Sequence, residues 1–178
     1  NSYEFERYHL ESIIKNSSIS GVIIEPTKSA LPSENSQLYF TLIKSGVPVI
    51  FINTILEGIS ENYIITNDEN ATFKLTHTLI ENGAKKLLGV FKGDDLQGIK
   101  RFSGFKKACE EKDLEFDSIF FVSEEYNSVH NKAADFVYRN KFDTVVCYND
   151  KIALPLCAKL KELGFKIPKD VSITGYDN

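Results

Sequence analysis

Leu87-Leu-Gly-Val-Phe-Lys-Gly-Asp-Asp-Leu-Gln-Gly-Ile-Lys-Arg-Phe-Ser-Gly-Phe-Lys-Lys-Ala108 changes its period halfway along. Leu87–Phe91 is a short apolar run closed by Lys92-Gly93, which reads as a strand buried on both faces. Beyond the polar loop, Ile99, Phe102, Phe105 and Ala108 recur at threes, the spacing of one helix face. A buried strand, a polar turn and an amphipathic helix together make the repeating unit of a parallel α/β sheet.

Outward from this stretch the same alternation continues. Ile19–Ile24, Val47–Ile52, Ser118–Val122, Thr144–Tyr148 and Val171–Thr174 read as further strands, rich in Val, Ile and Phe and bounded by turn residues. Phe5–Asn16 carries Leu10, Ile13 and Ile14 on one helical face, and Ala71–Glu81 carries Phe73, Leu75, Leu79 and Ile80 before the stop signal Asn82-Gly83. Ile152, Leu156, Leu160 and Leu163 form another helical face, closed by Gly164. Helices on both faces leave the strands apolar all round, so a doubly wound α/β fold with parallel sheets is expected. The chain opens on a helix and closes on a strand, an odd beginning and end for such a fold, so it reads as an excerpt.

Composition narrows the function. The 178 residues, 42% of them hydrophobic, can build one large or two small lobes with true cores. A formal charge of −4 gives no basic stripe, so contact with DNA is expected only through a separate domain. No apolar run approaches the ~20 residues of a membrane span, and the polar, charged opening residues show no signal-peptide pattern. Cys109, Cys147 and Cys157 are odd in number and form no CxxC pair; they read as small core residues in a reducing, cytoplasmic protein.

In doubly wound folds, ligands sit at the carboxyl ends of strands. The residues just past each strand are Glu25, Asn53, Lys92 with Asp94, Asp95 and Gln97, Asn149 with Asp150, and Asp177 with Asn178. Carboxylates and amides of this kind hydrogen-bond neighbouring hydroxyls in pairs. Arg101 follows the aspartate loop by about one helical turn, and its fork can bond two oxygens at once. Tyr148 and Phe91 offer flat apolar surface for a ring face. For each residue a plainer role stands beside this one. Asn149 or Asp150 can cap the helix that follows, Asn67 or Asp68 the one before it, and Arg101 can be a surface side chain.

Enzyme signatures are missing. There is no GxGxxG and no GxSxG. Gly93-Asp-Asp-Leu-Gln-Gly98 has the glycine spacing of a phosphate loop, yet Ile99 stands where its lysine belongs and two aspartates would repel phosphate. His9, His77 and His130 have no metal-ligand spacing. No catalytic residue, metal or cofactor is expected.

Four segments carry a family resemblance. Gly46-Val-Pro-Val-Ile-Phe-Ile-Asn53, Arg101-Phe-Ser-Gly-Phe105, Cys147-Tyr-Asn-Asp-Lys-Ile-Ala153 and Ile167-Pro-Lys-Asp-Val-Ser-Ile-Thr-Gly-Tyr-Asp177 resemble, in order and approximate spacing, the signatures of the LacI/GalR effector-binding domain. Phe5-Glu-Arg7, Glu25-Pro-Thr-Lys-Ser-Ala-Leu31 and Phe91–Arg101 are similar to the arabinose-responsive repressors of Gram-positive bacteria, where such a sensor follows a GntR-type winged helix. The resemblance implies a type I periplasmic-binding-protein-like fold of two Rossmann-like lobes, residues 1–66 and 67–178, incomplete at both ends. It implies a sugar, L-arabinose in the first place, held between the lobes by Arg101, Asn149 and Asp177 on one side and Glu25 and Asn53 on the other. Lys92, Asp95, Gln97 and Tyr148 join the same set as residues of the second lobe. It further implies a homodimer whose ligand-dependent lobe arrangement controls DNA binding by the missing domain. The family usually has Asp at position 53, so Asn53 would offer a neutral group. The alternatives are a sugar-binding protein of a transport system, which shares the fold, and a small sugar-acting α/β enzyme, for which no acid/base pair or nucleophile is found.

Overall fold

The computed structural model describes residues 2–59 and 61–177. The chain divides into two compact units, Asn1–Thr66 with Asp94–Gln97, and Asn67–Gly93 with Gly98–Asn178.

In the first unit, α1 (Tyr3–Lys15), β1 (Val22–Ile24), α2 (Ser36–Lys44), β2 (Val49–Ile52) and β3 (Tyr63–Ile64) follow in chain order. All strands are parallel, in the order β1-β2-β3. The core lies where Leu10 of α1 and Tyr39 and Leu42 of α2 pack with Val49 and Phe51 of β2. Period-two alternation sends Ile23 and Ile50, paired in register, to the other face, where both are exposed. Helix α2 and the two-residue β3 were not anticipated. Helix α2 is only nine residues long, too short for a helical period to be sustained along the sequence.

The second unit carries α3 (Asp68–Glu81), β4 (Lys86–Lys92), α4 (Leu96–Glu110) from Gly98 onward, β5 (Glu115–Phe121), a single 3-10 turn (Ser123–Glu125), α5 (Val129–Asn140), β6 (Thr144–Cys147), α6 (Asp150–Glu162) and β7 (Ser172–Thr174). Its sheet is wholly parallel, with strand order β5-β4-β6-β7. Strands β4 and β6 are buried almost throughout, as a parallel strand covered on both faces must be. Helix α3 starts three residues before the apolar pattern does, because the Asn67 side chain accepts from the Asn70 amide and caps it. Helix α4 approaches α3 so closely at Gly104 that a Cβ there would strike the Glu69 carbonyl and lie 2.8 Å from the Phe73 nitrogen. Asp143 joins distant parts of this sheet. Its carboxylate accepts from the Lys85 and Lys86 amides at 3.0 and 3.1 Å.

Cys109 and Cys147 are buried in this core and Cys157 is partly exposed. Burial pushes the Cys109 thiol up to about 12 and raises Cys147 further. Among the described residues, no helix is long and apolar enough to cross a membrane.

Candidate functional site

In the second unit, β5 lies on one side of β4 and β6 on the other, so the order of connection reverses between β4 and β6. Loops leaving the carboxyl ends of two such strands diverge and open a crevice there. The residues delivered to that point are Lys92 at the end of β4, Tyr148 and Asn149 directly after β6, and Arg101 from α4.

Arg101 is not a surface side chain. It is 2% exposed, and its guanidinium lies 3.7 Å from the Tyr176 ring centre and 4.9 Å from that of Tyr148. Its Nε donates to Asp68 Oδ1 at 2.8 Å, one terminal nitrogen to the Tyr148 carbonyl at 2.7 Å, and the other to Asp177 Oδ1 at 3.2 Å. Burial by itself would favour the neutral base, but the bond and charge of Asp68, with the charge of Asp177, outweigh it and raise the pKa above its ordinary value. A fixed cation is therefore held between two aromatic faces. Asp68, which the sequence offered only as a cap, is 4% exposed and is the buried counter-charge.

Asn149 occupies the N-cap position of α6 without capping it, for its side chain makes no bond to the helix amides. Its Nδ2 donates to the Tyr126 hydroxyl at 2.6 Å. Its Oδ1 is buried and has no hydrogen-bond partner among the described residues. A buried acceptor in that state costs about 1–3 kcal/mol, which a ligand donor would recover. Nearby, Asp150, Gly175, Tyr176 and Asp177 line an open depression of about 350 Å³. Asp177 adopts φ +81°, in the left-handed region. Asn178 lies outside the described residues.

The aromatic expectations need one correction. Phe91 is fully buried, its ring against Phe102 and Phe105 at 5.9 and 5.5 Å, because β4 is covered on both faces up to its end. It offers no surface to a ligand. Tyr148 is 7% exposed, with its ring engaged by Arg101 and edge-on to Phe121. Lys92 is buried as well.

In the first unit, β1 and β2 are paired in register, so the residues that follow them are neighbours. Asn53 Nδ2 donates to Glu25 Oε1 at 2.9 Å. Asn53 has φ +59°, a conformation that Asn adopts more readily than most residues. The segment after β1 is pinned by Glu6, whose two carboxylate oxygens accept from the Thr27 amide and from Asn35 Nδ2, both at 2.7 Å. Asp95 and Gln97 group with this unit rather than with the second. Here the Ala30 amide donates to the Asp94 carbonyl and the Leu96 amide to Ser29 Oγ. The structure thus brings together Arg101, Tyr148, Asn149 and Asp177 in one unit and Glu25 with Asn53 in the other. Tyr126, Tyr176 and the pairing role of Asp68 were missed. Among the described residues no group of three or more His, Cys, Asp or Glu side chains could hold a metal ion.

The model of the periplasmic binding protein-like domain matches residues 76–178. The chain is 31% identical to an arabinose metabolism transcriptional repressor of Halalkalibacterium halodurans and 34% identical to one of Geobacillus stearothermophilus, in each case over its whole length. It spans about half the length of these curated relatives, 49% and 50%. The crystal structure of a LacI family transcriptional regulator from Silicibacter pomeroyi superposes with a TM-score of 0.77 at 22% identity, covering 98% of this chain and 64% of that one. The chain belongs to the periplasmic binding protein-like domain family.

Proposed function

We propose that this chain is the sugar-sensing part of a transcriptional repressor, that L-arabinose is its ligand, and that it does no chemistry on what it binds. The observation that carries the reading is the Asn149 acceptor, buried and unmet at the strand-order reversal, beside the buried Arg101 cation and the Asp177 carboxylate. A polyhydroxylated ligand supplies both donors and acceptors to such a set. The Glu25–Asn53 pair at the strand ends of the first unit presents the same chemistry. The names of the two arabinose repressors support the choice of sugar.

Binding works by differential affinity, since a ligand shifts only an equilibrium between states it binds unequally. In the intact protein a separate DNA-binding domain, of the GntR winged-helix kind, reads that shift, and the protein acts as a cytoplasmic homodimer. Calorimetric titration of the intact protein with L-arabinose, D-xylose, D-ribose, D-galactose and glucose tests the proposal. Saturable binding of L-arabinose, lost in a folded Asn149→Ala variant, is expected. Tighter binding of another sugar discards L-arabinose, and no binding across the panel by a folded protein refutes sugar sensing.

A further inference from the structure

The amide of Asn149 has two ends, and only one can face a ligand. Its Nδ2 is held by the Tyr126 hydroxyl at 2.6 Å, which turns Oδ1 the other way, buried and without a hydrogen-bond partner among the described residues. Tyr126 is itself well placed to hold it. It closes the 3-10 turn Ser123–Glu125, its ring stands edge-on to Phe121 at 5.6 Å, and the turn is tied by the Val122 amide donating to Glu125 Oε2 at 3.1 Å. The helix that Asn149 precedes makes no claim on the side chain.

From this arrangement we infer that Tyr126 is a positioning residue that fixes Asn149 as an acceptor, and that the ligand atom met there must be a hydrogen-bond donor. This inference rests on the proposed sugar-sensing reading for its ligand, but not for the positioning itself. A hydroxyl satisfies Oδ1. A group of similar size that only accepts, such as fluorine, leaves Oδ1 buried and unmet. Without the Tyr126 hydroxyl the amide is free to turn, and the distinction between hydroxyl and fluorine weakens. Selectivity at this point therefore comes from a residue that acts through its neighbour.

The test has two arms, both on the intact protein with Tyr126→Phe. The first needs no ligand: the Asn149 side-chain amide resonances are followed by proton–nitrogen NMR. They are expected to move in Tyr126→Phe while the backbone resonances of α6 stay in place; unmoved side-chain resonances would overturn the positioning role. The second arm titrates L-arabinose and its monodeoxy and deoxyfluoro analogues. For the wild-type protein, one position is expected where deoxyfluoro binds as weakly as deoxy, about tenfold below L-arabinose, the equivalent of one hydrogen bond. In Tyr126→Phe the deoxyfluoro penalty at that position shrinks to about twofold. Equal discrimination by both proteins would overturn the donor requirement. If the wild-type protein binds no L-arabinose, the ligand reading falls, and the NMR arm alone decides the role of Tyr126.

Discussion

Asp68 and Arg101 should behave energetically as one object. Arg101→Met keeps the aliphatic stem but leaves the Asp68 carboxylate, 4% exposed, without its cation. Removing one partner of such a buried pair costs about 3–5 kcal/mol, because the other charge stays buried and uncompensated. Asp177 adds little to this sum; at 54% side-chain exposure its bond to Arg101 is solvent-screened and worth about 0–1 kcal/mol. Asp68→Asn should cost less, because the Tyr148 carbonyl and Asp177 still hold the cation. The double variant has no stranded charge and should fall short of the summed single losses by about 2–3 kcal/mol. For a chain of this size Arg101→Met should melt about 6–20 °C lower, and Asp68→Asn should lose less. Near-UV circular dichroism is a suitable readout, since the chain has eight tyrosines and no tryptophan, and Tyr148 and Tyr176 flank Arg101. Single losses that add to within about 0.5 kcal/mol in the double variant would refute the coupled pair.

Four more outcomes are expected. Gly104→Ala should destabilise the second unit by about 1–3 kcal/mol, since its Cβ meets helix backbone rather than a movable side chain; an unchanged melting temperature would contradict the close α3–α4 approach. Asn53→Val should cost about 1–3 kcal/mol because a β-branched residue resists φ +59°, whereas Asn53→Gly should keep stability and lose only the bond to Glu25, a contrast that paired urea melts resolve. A thiol reagent at pH 8 should label Cys157 alone, with Cys109 slowed about a thousandfold by its shift from 9.0 to about 12. The same raised value makes the folded state hold its proton longer than the unfolded one. Its contribution is therefore complete below pH 9 and is lost towards pH 12, at up to about 1.4 kcal/mol per pH unit, and Cys109→Ala should remove that part of the slope in pH-dependent melts.

The strands were legible because parallel strands covered on both faces leave continuous apolar runs, as Leu87–Phe91 and Thr144–Tyr148 do. Helix α5 was not, because Val129, Ala133 and Val137 make a face of small residues among His, Asn and Lys. The strand-end rule pointed to Asn149 and Asp177, and to Arg101 about one helical turn past a strand-end loop, because these positions depend on local chain order. It could not reveal partners: Asp68 and Arg101 are 33 residues apart, Tyr126 and Asn149 23, and no periodicity encodes such pairs. Phe91 misled for a related reason. A residue at the end of a central strand looks available in the sequence, whereas helix α4 folds Phe102 and Phe105 over it.

Asp143 also bears on how the second unit assembles. Strand β4 pairs with β6 across more than fifty residues, and Asp143 holds the Lys86 amide over a separation of 57. Closing a loop of that length costs about 3.5 kcal/mol of chain entropy before any pairing is gained. On a ribosome, β4 and β5 can meet early, but the central pairing must wait until the chain past Cys147 has emerged. Until then one edge of β4 is unpaired, with its backbone N–H and C=O groups open. The carboxylate of Asp143 lies just ahead of β6, where it can catch the start of β4 and set the register, so its contribution should appear in the folding rate as well as in the final stability.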